Sequence, residues 1–185
     1  VHKLAQGFGK QVVVHTHFSS PNEITKWTQK AMERLFTRGI LVRNQALLQA
    51  GVNDDIETMV LMTRQLSFIN IQPYYVYMHD MVPGCEHFRT TLREGIELEK
   101  SLRGTTAGFN TPTIVCDLPG GGGKRHVASY EHYNEDYGIS VWKAPYVKPG
   151  ELFTYFDPIH KLKPEIQKRW ADEKEREAMI QEVLD

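Results

Sequence analysis

The chain has 185 residues, a formal net charge of −1 and 24% charged residues, and it is long enough to bury the core of one domain. A charge this close to zero predicts no affinity for nucleic acid or an anionic membrane, and no apolar run approaches the ~20 residues of a membrane span. With two cysteines and no recognisable signal peptide, the composition favours a reducing, cytoplasmic compartment. Because the chain opens on Val1 without an initiator methionine, we expect it to be part of a longer protein.

Apolar, β-branched runs predict strands that begin near residues 12, 40, 71 and 113. Helical patterns lie between them, at residues 24–35, 56–66 and 91–103, and Gly39 and Gly104 are favourable stops for the first and the third. Strands that alternate with helices in this way form parallel sheets. The sequence therefore predicts an α/β fold built from repeated βα units.

Polar side chains occur at the point where each predicted strand ends. The carboxyl ends of parallel strands meet at one edge of a sheet, which is where α/β proteins place their active sites. Polar groups at all of these ends therefore predict one shared site, and they favour an enzyme over a structural module. The groups are His15 with His17, Asn44 with Gln45, His79 with Asp80, and Asp117 with Lys124.

The last third of the chain has a different pattern. Alternating residues over 127–133, 139–142 and 151–156 predict a small antiparallel β meander, and residues 164–184 predict one charged helix with a thin apolar stripe. We expect this helix to pack on a neighbouring element or a partner chain; a solvated tail is the alternative. The predicted domain limits are 1–125 for the parallel region, 126–158 for the meander extension and 159–185 for the helix.

The segment 117–124, with the sequence DLPGGGGK, is the most specific feature of the chain. Consecutive glycines suit a sharp turn or a close approach of the backbone to a ligand. A phosphate-binding NTPase loop is excluded, because that motif needs glycine where Leu118 stands and Ser or Thr where Arg125 stands. A second cation beside Lys124 favours its neutral amine, which suits a Schiff base with an aldehyde cofactor such as pyridoxal phosphate. The alternative is a glycine-rich hairpin with a solvated lysine.

Two other groups of residues have more than one interpretation. His15 and His17 alternate on a strand as metal-binding His-x-His pairs do, but histidines that are hydrogen-bonded at a strand end are the alternative. Asp80 and Asp117 form an anionic pair suited to the ammonium group of a substrate. The alternative is that they form salt bridges with Arg89, Lys124 or Arg125.

Segment 117–124, together with short segments that include His17, Asn44 and Gln45, resembles the C-terminal half of the lysine 2,3-aminomutase family of radical S-adenosylmethionine (SAM) enzymes. The resemblance spans roughly residues 12–157 in the right order and spacing, and it leaves out the C-terminal helix. Its most specific part is the segment 117–124. The other matching segments are THF at 16–18, PNEIT at 21–25, NQ at 44–45, GVND at 51–54, PYY at 73–75, EHFRT at 86–90 and LRG at 102–104.

The resemblance implies that residues 1–125 are half of a partial (β/α)6 barrel of the radical SAM type, with a pyridoxal phosphate aldimine on Lys124. In the family's reaction a 4Fe-4S cluster cleaves SAM to a 5′-deoxyadenosyl radical. The radical takes a hydrogen from the substrate β-carbon, and the α-amino group then migrates to that carbon through the aldimine. By position, Asp80 and Asp117 match carboxylates that hold the distant amino group of lysine, while His17 and Gln45 match SAM contacts. Both aspartates favour a lysine-like substrate, with arginine or ornithine next.

The chain departs from the family pattern in its cysteines. The cluster needs a Cys-x3-Cys-x2-Cys motif, and the only cysteines here are Cys85 and Cys116. The arginines expected to bind the substrate carboxylate and the cofactor phosphate also lie in the missing half. We expect no intersubunit zinc, because Asp55 stands where some relatives have a cysteine ligand and the C-terminal cysteine group is absent. We therefore expect this chain alone to be inactive and the full-length protein to be active. We also expect the protein to form a homo-oligomer.

Two functions from other classes stay open at this level. A metal-dependent amidohydrolase-like enzyme would use His15 and His17, and bound zinc without pyridoxal would favour it. A non-catalytic scaffold domain would bind a partner through its C-terminal helix. Loss of oligomerisation on deletion of residues 160–185, without any ligand binding, would favour the scaffold.

Overall fold

The computed structural model describes residues 2–185, and helices alternate with strands through the first two thirds of them. No helix in this described range is both long enough and apolar enough to cross a membrane. The helices are α1 (His2–Phe8), α2 (Lys26–Phe36), α3 (Ile56–Phe68), α4 (Leu92–Leu102), α5 (Pro164–Ala171) and α6 (Glu173–Leu184). The strands are β1 (Val13–Thr16), β2 (Leu41–Leu47), β3 (Ile71–Tyr77), β4 (Thr113–Leu118), β5 (Gly123–His126), β6 (His132–Asn134), β7 (Ile139–Ala144) and β8 (Lys148–Phe156).

The chain forms two compact units, of which the first comprises residues up to 77 together with 98–113. Its strands β1, β2 and β3 are neighbours in that order and run parallel, with Val14 opposite Val42 and Val42 opposite Ile71. Helix α2 packs on β2, and α3 packs on β3. The buried side chains of β2 alternate along the strand, as expected for a strand with one face against helices. The predicted parallel βα units are confirmed.

Two buried asparagines attach the segment that follows β1 to the first unit. Asn44 accepts a hydrogen bond from the backbone N–H of Phe18 at 2.8 Å and donates one to the carbonyl of the same residue at 2.9 Å. Asn53 is fully buried, and its amide nitrogen donates to the carbonyls of Ser19 and Leu47, each at 2.8 Å. These side-chain amides hydrogen-bond backbone groups of the segment, so they attach it to β2 and to the loop that follows β2.

The second unit comprises residues 78–97 and 114–185. In it β4 and β5 form an antiparallel hairpin, and β6, β7 and β8 form a separate antiparallel sheet with β7 in the centre. The small antiparallel meander is therefore confirmed, although its first strand is His132–Asn134 and does not cover residues 127–133 as predicted. The predicted fold class is also confirmed: α/β with parallel strands, followed by a small antiparallel sheet and a helical C-terminus. The domain limits at 125 and 158 stay predictions.

The prediction of a single helix over residues 164–184 is wrong, because Asp172 separates two helices. Its backbone is extended (φ −90°, ψ 125°), and its carboxylate accepts from the backbone N–H groups of Lys174 and Glu175 at 3.0 and 3.1 Å. Asp172 therefore ends α5 and caps α6. The apolar stripe of both helices packs inside the same unit, where it forms one buried cluster with the sheet. The cluster consists of Ile139, Val141, Leu162, Ile166, Trp170, Met179 and Val183.

Candidate active site

A cavity of ≈ 480 Å³ in the second unit is lined by residues from two of the predicted polar groups, the one that follows β3 and the one at the end of β4. Asp80 and Asp117 both line it, together with the glycine turn that leads to Lys124. Cavities of about 300–1,000 Å³ are typical of small-molecule and cofactor sites. The remaining lining residues are Met81, Val82, Leu118, Pro119, Gly120, Gly121 and Tyr155.

Asp117 and Lys124 are direct partners across the β4–β5 hairpin. The Lys124 Nζ lies 3.0 Å from the Asp117 Oδ2, and the two side chains are 44% and 39% exposed. Side chains that are opposite each other in an antiparallel pair project from the same face, so the hairpin register itself brings the amine to the carboxylate. Lys124 lies in strand β5, not in an open loop. The alternative of a glycine-rich hairpin describes the backbone correctly, but the lysine is ion-paired at the edge of a cavity.

The four glycines of this hairpin are needed for two different reasons. Gly120, Gly121 and Gly123 have φ values of 75°, 88° and 73°, in the left-handed region that side chains disfavour. Gly122 has an ordinary helical conformation (φ −66°, ψ −17°) but no space for a side chain. A Cβ there would lie 2.8 Å from the Leu118 Cβ and 2.9 Å from two ring carbons of Phe153. The glycine run is therefore a tight turn that packs against the meander.

Asp80 is exposed, whereas the residues on either side of it are held by the meander. The Tyr155 hydroxyl donates to the carbonyl of His79 at 2.8 Å, and the backbone N–H of Phe156 donates to the Met81 sulfur at 3.4 Å. The Nδ1 of His79 lies 2.9 Å from the Asp80 carbonyl, which can only accept, so this nitrogen carries a proton. The exposed carboxylate of Asp80 therefore extends from a fixed backbone.

Burial keeps two ionisable groups of this region in their neutral forms. It raises the pKa of the Cys116 thiol well above its ordinary value, and the nearby carboxylates of Asp117 and Asp80 raise it further. Cys116 is thus an inert core residue, not a nucleophile or metal ligand. Burial also raises the pKa of the Tyr155 hydroxyl, which keeps the proton that it donates to the His79 carbonyl.

The other two predicted site residues, His17 and Gln45, belong to the first unit. His17 is exposed and follows the end of β1. Gln45 lies within β2, so the prediction that Asn44 and Gln45 follow the end of a short strand is wrong. The Gln45 side-chain oxygen accepts a long hydrogen bond of 3.5 Å from the Tyr77 hydroxyl. The structure thus places Asp80 and Asp117 on one cavity with Lys124 paired to Asp117, and the roles of all five residues, including His17 and Gln45, stay predictions.

No group of three or more His, Cys, Asp or Glu side chains in the described part of the chain could hold a metal ion. His15 and His17 are both exposed, and the His15 ring packs edge-on against Tyr74 with 5.5 Å between the ring centroids. The structure therefore gives no support to the metal-dependent alternative.

Sequence reasoning missed Tyr155 and Lys148, which contact the candidate site from β8. Tyr155 lines the cavity, and the Lys148 Nζ donates to the carbonyl of Gly120 at 3.0 Å. Alternation along β8 predicts that one of its faces is buried, but it does not show what that face meets. Both contacts join residues at least 28 positions apart in the chain, so no local pattern could have revealed them.

Comparisons with known proteins agree with the resemblance seen in the motifs. A putative L-lysine 2,3-aminomutase of Aquifex aeolicus is 48% identical over 111 residues, which cover 60% of this chain and 30% of that protein. The L-lysine 2,3-aminomutase of Clostridium subterminale is 45% identical over 149 residues, which cover 80% of this chain and 35% of that protein. The chain is thus similar in sequence to lysine 2,3-aminomutases. It spans about a third of the length of these aminomutases.

Two further comparisons add little to this similarity. No family model matches the chain. Among solved structures, a radical SAM methyltransferase from Sphaerobacter thermophilus matches 65% of this chain and 39% of its own, with 15% identity and a TM-score of 0.47. A likeness this weak carries no argument about fold or activity.

Proposed function

We propose that this chain is the C-terminal portion of an L-lysine 2,3-aminomutase-type radical SAM enzyme, an isomerase that moves an α-amino group to the neighbouring β-carbon. One observation carries the proposal: Asp80 and Asp117 line one cavity, and the Lys124 Nζ lies 3.0 Å from the Asp117 carboxylate. The sequence similarity to lysine 2,3-aminomutases supports it independently.

The two carboxylates favour a substrate with a positively charged side chain. An ammonium group has three donors and no acceptor, so it can hydrogen-bond two carboxylates at once and relieve the repulsion between them. The two carboxylates would repel a negatively charged side chain, as they repel each other. We therefore propose lysine as the first candidate substrate, with Asp80 and Asp117 as the residues that bind its distant amino group.

Lys124 fits the role of the lysine that holds pyridoxal phosphate. Its amine is accessible and lies 3.0 Å from the carboxylate of Asp117, which lines a cavity of cofactor size, so an aldehyde bound in that cavity would be within reach of the amine. The bound cofactor would supply the aldehyde that captures the migrating amino group. The close packing of the glycine turn would keep the Lys124 strand in place during this exchange.

The residues of this chain do not fit a 4Fe-4S cluster. Such a cluster needs several cysteine thiolates, but the sequence contains only Cys85 and Cys116, and burial keeps the Cys116 thiol protonated. We propose that the cluster is held by a part of the full-length protein outside this sequence and that this chain alone is inactive. His17 and Gln45 remain the proposed contacts to SAM.

The proposal is tested by titration with pyridoxal phosphate, reduction with borohydride and peptide mapping of the adduct. The experiment uses the 185-residue chain and the full-length protein, each as wild type, Lys124→Ala and Lys143→Ala. Lys143 is a matched control, because it also lies on an antiparallel strand and pairs with a carboxylate, Glu131, at 3.2 Å. We expect an adduct on Lys124 that only Lys124→Ala abolishes. In the full-length protein, an adduct spread over surface lysines without preference for Lys124 would refute the proposal.

A further inference from the structure

Strand β8 contacts both walls of the candidate cavity, although no sequence motif marks it as part of a site. Its C-terminal end contacts the segment that carries Asp80, and Lys148 and Phe153, which come earlier in the strand, contact the glycine turn between Asp117 and Lys124. All of these residues belong to the second unit. The two carboxylates that we propose as the substrate-binding pair are thus both supported by one strand.

The wall that carries Asp80 is held at two points. The Tyr155 hydroxyl donates to the His79 carbonyl at 2.8 Å, one residue before Asp80, and the Phe156 backbone N–H contacts the Met81 sulfur at 3.4 Å, one residue after it. Asp80 itself is exposed, so its position depends on these flanking contacts and not on the packing of its own side chain.

Tyr155 is itself a rigid support. It is 2% exposed, and the Arg89 guanidinium lies over its ring with 5.2 Å between the guanidinium carbon and the ring centroid. Its own carbonyl accepts from the buried Ser140 hydroxyl at 2.9 Å, and Arg89 also donates to the carbonyl of Phe156. Because the tyrosine is fixed on all of these sides, its hydroxyl can hold the His79 carbonyl at a defined place in the wall.

The opposite wall is held by Lys148 and Phe153. The Lys148 Nζ donates to the Gly120 carbonyl at 3.0 Å and pairs with Glu151 at 3.2 Å, so it is directed onto the turn. The Phe153 ring packs so closely against Gly122 that a Cβ at that position would lie 2.9 Å from it. Strand β8 therefore limits how far the turn, and with it the Asp117–Lys124 pair, can move.

We infer that β8 is a positioning element of this site: Tyr155 sets the place of Asp80, and Lys148 with Phe153 sets the place of the Asp117–Lys124 hairpin. The inference rests on the proposed function, because it concerns how the carboxylates and the reactive lysine of that site are held. Tyr155 and Lys148 are positioning residues; neither has to touch the substrate for this role.

The first test uses Tyr155→Phe in the full-length protein, which removes the hydroxyl and keeps the ring. The control is Tyr146→Phe, since Tyr146 lies between β7 and β8 and is 97% exposed. We measure kcat and KM for lysine, and the inhibition constant of norleucine, which is lysine without its side-chain amino group. Loss of one hydrogen bond should raise the KM for lysine about fivefold to tenfold and leave norleucine binding unchanged. A general structural defect would weaken both ligands.

The second test uses Lys148→Met, with Lys143→Met as the control that removes a lysine from the neighbouring strand. The readout is the rate at which Lys124 forms a borohydride-reducible adduct with pyridoxal phosphate. Because Lys148 is on the surface, we expect this rate to fall only about two- to fivefold, while the control keeps the wild-type rate. Thermal unfolding shows that each variant is folded, and Lys148→Met gives an answer even if Tyr155→Phe does not fold.

The outcomes separate the inference from the proposed function. If the wild type binds lysine no better than norleucine, the proposed function fails and this inference falls with it. If the wild type prefers lysine and Tyr155→Phe keeps the same preference as Tyr146→Phe, the inference about β8 is overturned while the proposed function stands. A Lys148→Met rate equal to that of Lys143→Met overturns the part that concerns the hairpin.

Discussion

The packing around Gly122 leads to a specific prediction about stability. In Gly122→Ala the added Cβ would lie 2.8 Å from the Leu118 Cβ and 2.9 Å from the Phe153 ring, whereas ordinary contacts begin at 3.4 Å. The backbone at Gly122 is in the helical region, so alanine introduces no conformational strain of its own. Any loss of stability therefore comes from the overlap with these two neighbours.

The overlap is costly because neither neighbour can easily move. The Leu118 Cβ is attached directly to the backbone of β4, and its residue pairs with Gly123 in the hairpin. The Phe153 ring is 6% exposed and lies beneath Lys148. Overpacking of this kind costs about 1–3 kcal/mol, so we expect a loss of about 2 kcal/mol and a fall in Tm of about 4–8 °C for a chain of this size.

The assay is urea unfolding of the chain followed by tryptophan fluorescence, since Trp142 is fully buried in the same unit. Gly108→Ala is the matched control, because Gly108 has ordinary backbone angles and a Cβ there would meet nothing within 4 Å. We expect the control to change the unfolding free energy by less than about 1 kcal/mol, in the stabilising direction. If Gly122→Ala unfolds at the same urea concentration as Gly108→Ala, the argument that the turn packs tightly against Phe153 is wrong.

Three further predictions concern buried and capping polar groups. Asn53→Asp replaces an amide nitrogen that donates to two carbonyls by a carboxylate oxygen that the same carbonyls repel. We expect the free energy of unfolding to fall by about 3 kcal/mol or more. The control Asn22→Asp, at an exposed position, should change it by less than about 0.5 kcal/mol. Asp55→Ala removes the cap of α3 and should cost about 1 kcal/mol at pH 7. The backbone N–H of Thr58 donates to the Asp55 carboxylate and lowers its pKa below the ordinary 3.8. The stabilisation by this cap is therefore present above pH 3.8 and should be lost as the pH falls through the lowered pKa. Urea unfolding of wild type and Asp55→Ala at pH 7 and at about pH 2–3 would check this. Burial raises the pKa of the Asp157 carboxyl group above its ordinary 3.8. The contribution of this group to the free energy of unfolding is therefore present below pH 3.8 and is lost as the pH rises through the raised pKa. The stability of Asp157→Asn relative to wild type should therefore increase between pH 3 and pH 7, and a difference that decreases over this range would contradict the assignment.

The parts of the fold that the sequence predicted correctly depend on local patterns. The apolar runs at residues 12–14 and 40–42, which are rich in β-branched residues, lead into parallel strands. Such residues favour extended backbone, and the helical pattern between the two runs predicts a crossover connection. The glycine run predicts a tight turn, because four consecutive residues without side chains suit a backbone that must turn sharply or approach another group closely. In both cases the decisive information lies within a few residues.

The errors have physical reasons of two kinds. The strand β2 extends to Leu47 through Asn44 and Gln45. The buried Asn44 amide accepts from and donates to the backbone of Phe18, in the segment after β1, and no local pattern in the sequence reveals these long-range hydrogen bonds. The break at Asp172 was visible in principle, because an aspartate followed within three residues by glutamate is a common helix start. The same charged helical pattern continues on both sides of Asp172, so it predicts one continuous helix.

The candidate site combines these two kinds of information. The pairing of Asp117 with Lys124 follows from the length of the glycine turn, since a shift of one residue in an antiparallel register would place the lysine on the opposite face of the hairpin. The place of that hairpin relative to Asp80, by contrast, depends on contacts from β8, which lies more than twenty residues further along the chain. A relative could keep all of segment 117–124 and still lose the geometry through a change in β8. Motif matches therefore predict which residues form the site, and the contacts of β8 explain how the Asp80 segment and the hairpin are held.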